Sequence, residues 1–96
     1  MSISLSQISQ ISKKLNISSE ELINRGLLAY LEREIRLAEE DIADIRDKYS
    51  VAARPQFERK IKNKETYSHP AWEDLITWEN LEVYIKKLKK TIERIG

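Results

Sequence analysis

The residues of this chain that are able to do chemistry are few and scattered. His69 is the only histidine and there is no cysteine. Zinc-type clusters and thiolate nucleophiles are therefore excluded. No Glu-x-x-His pair of the di-metal kind occurs, and no Gly-rich phosphate loop. Carboxylates are plentiful, but they stand at helical spacing from bases. Glu32 with Arg36 and Asp44 with Lys48 are i,i+4 pairs of the sort that decorate a solvated helix face. His69, beside Pro70, reads as a loop or helix-entry residue. Nothing converges on a reacting group, so the chain reads as non-enzymatic, with no catalytic residue, metal or cofactor expected.

What remains is binding chemistry. Residues 54–65 carry five basic and two acidic side chains, a local balance of +3. Arg54 and Arg59 are the arginines of this stretch. Aromatic and aliphatic anchors lie beside and after it: Phe57, Trp72, Ile76 and Trp78. Buried aromatic and Arg anchors are what binding hot spots are made of. These six are the candidate partner-binding residues. The alternative for Phe57, Trp72 and Trp78 is plain core packing.

Such side chains must be carried by helices. From residue 20 to 49 apolar positions recur at Leu28, Leu31, Ile35, Ala38, Ile42, Ile45 and Tyr49, in steps of three and four. That period predicts one long helix with an apolar, coiled-coil-like seam on one side. At about 1.5 Å per residue it would be roughly 45 Å long. A compact chain of this size has a radius of gyration of only about 13 Å. The helix must protrude, or something must lie along it. A second seam supplies that something: Trp78, Leu81, Ile85, Leu88, Ile92 and Ile95. The two seams predict an antiparallel helical hairpin, or helices meeting across a dimer. Charge favours a meeting, since residues 20–48 hold nine acids against five bases, and residues 86–94 hold five bases against Glu93.

The connections follow from local signals. Residues 7–15 read as a short helix, ended by Asn16, with Ile17 as an apolar plug. Ser18 caps the long helix and Glu21 completes a capping box. Arg54-Pro55 breaks the chain and opens a short basic helix over 55–63. Residues 65–70 read as a loop, and the last helix starts at Ala71. Along that helix Trp72, Ile76 and Val83 fall opposite the second seam, provided the helix is continuous across Thr77.

Composition agrees. Ninety-six residues with 34% charged side chains, a net charge of +1, two Gly and two Pro suit one soluble helical domain. No stretch is apolar for long enough to span a membrane, and no signal-peptide pattern is present, so a cytoplasmic location is expected.

The amino-terminal third carries a motif. Ser2-Ile3-Ser4-Leu5-Ser6 alternates as a short strand would. It reads as a strand that pairs with a second copy, or as an extended arm with Ser6 capping the first helix. A helix-turn-helix spacing at Ser12, Asn16, Ile17 and Leu22 ranks below this, because Glu20 and Glu21 would repel phosphate. The run from Leu5 through Leu15-Asn16-Ile17-Ser18-Ser19 to Leu31 resembles ribbon-helix-helix antitoxins and small repressors. The resemblance implies a dimerisation and DNA-binding segment over 1–31, continuous through the long helix with a partner-binding extension over 32–96. Ser2, Ser4 and Ser6 would face the major groove, with Lys13, Lys14, Ser18 and Ser19 near phosphate. It further implies a homodimer, operator DNA, and a cognate toxin such as a PIN-domain ribonuclease, whose acidic, metal-binding site the basic stretch from Arg54 to Lys64 could reach. The expected fold is mainly α and elongated. Its seam of Leu28, Leu31, Ile35, Ile42, Ile45, Leu81, Ile85, Leu88 and Ile92 holds the hairpin or the dimer. The expected function is a non-enzymatic antitoxin. The competing expectation is a structural or adaptor protein that binds protein alone.

Overall fold

The computed structural model describes residues 2–66 and 68–95. Four helices follow in order: α1 (Leu5–Leu15), α2 (Ser19–Tyr49), α3 (Arg54–Lys62) and α4 (Ser68–Ile95). No strand occurs among the described residues. The molecule is elongated, 60 × 27 × 16 Å, with a radius of gyration of 19.5 Å.

The caps explain the boundaries. Ser4 has extended backbone, accepts from the Gln7 backbone N–H and receives the Gln7 side chain at its own N–H, a complete capping box. This corrects the expected strand over Ser2–Ser6. Leu5 and Ser6 are helical, residues 2–4 precede the helix unpaired, and Ser4 rather than Ser6 is the cap. Two reciprocal hydrogen bonds made within the chain satisfy donors that a ribbon would need a second copy to satisfy. Asn16 ends α1 in the left-handed conformation, φ 60°, as expected. Ser18 caps α2 through the Glu21 N–H at 3.0 Å. The second half of the expected box is replaced: the Glu21 carboxylate accepts from Arg25 at 2.6 Å.

α2 and α4 form the hairpin. Leu31, Ala38, Ile42, Ile45 and Tyr49 of α2 and Leu75, Trp78 and Leu88 of α4 are buried. Leu28, Ile35, Leu81, Ile85 and Ile92 are half-buried. The two seams thus meet inside one chain. α4 is continuous across Thr77 and starts at Ser68, earlier than Ala71. Pro70 fits because the first turn has no intrahelical acceptor for its missing N–H. Tyr67, within the expected loop, lies outside the described residues.

α3 closes one end. Phe57 is fully buried, stacked on Tyr49 at 4.3 Å and on Trp78 at 5.9 Å between ring centroids. Val51, Ile61 and Ala71 complete this cluster. Lys60 Nζ donates to the Tyr49 carbonyl at 2.8 Å and satisfies an acceptor at the end of α2. The core therefore sits where three helices meet. The far end, with α1, is only a pair of helices thick.

Candidate interaction surfaces

Several polar side chains pair across the helix junctions. Arg54, at the start of α3, reaches Glu82 at 2.7 Å, Glu79 at 3.9 Å and Glu58 at 4.0 Å. Its hydrogen bond to Glu82 pushes the guanidinium pKa further up. Asp74 accepts from Tyr49 Oη and from Lys48 Nζ, the latter at 2.9 Å. Burial alone would raise the Asp74 pKa, but the Tyr49 and Lys48 hydrogen bonds outweigh it, and the net direction is down. Burial and the Asp74 hydrogen bond push the Tyr49 phenol up. Tyr84 donates to Glu34 at 2.7 Å, and that carboxylate pushes its phenol up to about 12. His69 stands 3.5 Å from Glu73, with its side chain 89% exposed. Among the described residues no group of His, Asp and Glu is placed to hold a metal ion. Among the described residues no buried side-chain polar atom is left without a partner. These clusters join helices; none combines a nucleophile, a base and a cavity.

Most of the exposed large apolar side chains fall in two places. At the free end Leu5, Ile11 and Leu15 of α1 and Ile23, Leu27 and Tyr30 of α2 are exposed. α1 turns its small polar face inward: Ser12 is buried, and its hydroxyl lies 3.1 Å from that of Ser19. With that contact inside, Leu5, Ile11 and Leu15 lie on the outside, while Ile8 is half-buried. The second place is the outer edge of α4, where Trp72, Ile76 and Val83 are 42%, 56% and 68% exposed. Trp78, six residues after Trp72, is buried on the seam side.

The candidate sites from sequence divide accordingly. Trp72 and Ile76 are free to meet a partner, and Arg59 is exposed. Arg54 is held in its carboxylate cluster. Phe57 and Trp78 are corrected to core residues, because the junction of three helices buries aromatic area most completely there. The candidate DNA contacts are not gathered into one ribbon. Ser4 and Ser18 spend their hydroxyls on caps, Ser19 pairs with Ser12, and Ser6 lies within α1. Lys13 and Lys14 are exposed in the last turn of α1.

A family model described as "Uncharacterized protein MJ0235 family" matches residues 1–96. The chain belongs to this family. No curated protein and no solved structure matches it. Membership covers both the free α1–α2 end and the hairpin, so the two exposed surfaces fall within the matched region. Among the described residues no helix is long and apolar enough to cross a membrane.

Three features went unread in the sequence. The Ser4-Leu5-Ser6-Gln7 capping box was legible as Ser-x-x-Gln. The Tyr49–Asp74–Lys48 and Tyr84–Glu34 contacts span 25 and 50 residues and carry no local signal.

Proposed function

We propose that this chain is a non-enzymatic helical module that works by binding protein. One observation carries the reading: the fold leaves large apolar anchors uncovered at its free end and along the edge of α4. A chain that exposes Leu15, Leu27 and Tyr30 at one end and Trp72, Ile76 and Val83 along an edge leaves apolar area for partners to cover. The molecule is only 16 Å in its thinnest dimension, so these surfaces make up a large part of it.

A second reading, the ribbon-helix-helix antitoxin, is supported by α1, the left-handed Asn16 and the capped start of α2. It needs residues 2–6 to leave their capping box and pair with a second copy. In that reading the partner is a toxin, and operator DNA is bound through the strand and Lys13 and Lys14.

The two separate by experiment. Tagged protein, produced together with its genomic neighbours, is expected to retain a protein partner at a fixed ratio. Leu27→Asp or Trp72→Ala should release that partner while the helical circular dichroism is kept. A salt-sensitive mobility shift on upstream DNA, abolished by Lys13→Glu with Lys14→Glu, would establish the second reading. Retention unaffected by either surface substitution would remove the first.

A further inference from the structure

The outer edge of α4 complements itself. Trp72, Ile76, Glu79, Val83, Lys86 and Lys90 recur at steps of four, three, four, three and four. They therefore share one side of the helix, and Arg94 extends the line. Val83, the most exposed of its apolar members, stands between two shallow surface grooves and lines both. One groove has Glu58, Glu79 and Glu82 around Arg54, with Lys86 also in its lining, a balance of one negative charge. The other has Lys86, Lys87, Lys90 and Arg94 and no carboxylate. None of those four cations takes part in an ion pair among the described residues.

We propose that a second copy of this chain covers this edge, with the two α4 helices antiparallel across a two-fold axis at Val83. In that register Val83 meets the partner's Val83. Glu79 comes opposite the partner's Lys87, and Ile76 lies over the aliphatic stem of the partner's Lys90. Trp72 comes under the partner's Arg94, a cation–π arrangement. The basic groove of each copy then meets the acidic groove of the other. The contact is isologous, so it closes at two and leaves no open end. A polyanion is a poorer occupant: it would favour the four cations but be repelled by the three carboxylates one turn away. This contact rests on the protein-binding reading above in one respect, that the apolar edge of α4 is covered by protein, here a second copy.

The chain has no cysteine, so Val83→Cys introduces a single thiol. Under mild oxidation V83C is expected to form a disulfide-linked dimer in high yield, while Lys89→Cys, off the stripe, stays largely monomeric. The wild-type protein should sediment as a dimer that weakens as salt rises. K87E should raise the dissociation constant at least tenfold, and adding E79K should restore most of the affinity. Wild-type protein that remains monomeric at every concentration would overturn both this contact and self-association. A dimer whose V83C form is no more readily linked than K89C would overturn this contact alone and leave the protein-binding reading standing.

Discussion

At the scale of single residues, Asp74 and Phe57 show how α4 is held to the rest. Asp74 accepts from Tyr49 and Lys48 of α2, and its carboxyl titrates lower in the folded chain than in the unfolded one. A depressed carboxylate contributes stability that is present above its unfolded pKa, near 3.8, and is lost as pH falls through the lower folded value. The melting temperature should therefore fall below about pH 4, and Asp74→Asn should flatten that fall while lowering stability at neutral pH. Thermal melts of both proteins from about pH 2 to 7 check this. An equal acid dependence in the variant would remove Asp74 from the account. Phe57 is fully buried between two aromatic rings. Phe57→Ala should cost about 3–5 kcal/mol, read from urea denaturation. A loss below about 1 kcal/mol would mean that the junction collapses around the gap. From sequence alone Phe57 and Trp72 carry the same label, a large aromatic near a helix start. Only the placement of α3 and the rotation of α4 separate core from surface.

At the scale of elements, the helices are set by their ends and periods, which are local properties. The Asn16 and Ser18 caps were legible because capping needs only neighbours within four residues. Gly26 is a different case. It lies inside α2 in ordinary helical conformation, and a Cβ built there meets nothing within 4 Å. Gly26→Ala should stabilise by about 0.5–1 kcal/mol, seen as a higher urea midpoint with an unchanged slope. Destabilisation instead would mean that another chain approaches α2 closely at this glycine. The start of α1 was harder to read. Serine–apolar alternation fits the period of a strand, yet Ser4 and Gln7 supply the cap of a helix. Reciprocal hydrogen bonds three residues apart outcompete a strand that has no neighbour to pair with.

For the whole molecule, stability is expected to be unequal along its length. The core cluster runs from Ile42 to Trp78 and includes residues of α3, whereas Ser12 is the one buried residue of α1. Removing residues 1–16 should therefore leave the α2–α4 hairpin cooperatively folded, with a modest loss in melting temperature, and should diminish binding through the free end. Hydrogen exchange checks the same gradient: amides of α1 should exchange well before those around Ile45, Phe57 and Trp78. Equal protection in α1 would show that something covers the free end in solution.

The sequence by itself determined that this protein is helical, where two seams run, which turns break them, and that no thiol chemistry is open to it. Those follow from periodicity, caps and composition, each decided within a few residues. The tertiary structure decided that the two seams meet within one chain, that α4 is continuous, and that Trp78 faces in while Trp72 faces out. Periodicity assigns residues to a face of a helix but does not choose what covers that face. A heptad seam fits a helix of its own chain as well as one from another. The connection through α3, with Phe57 stacked between Tyr49 and Trp78, brings α4 back along α2 and settles that choice.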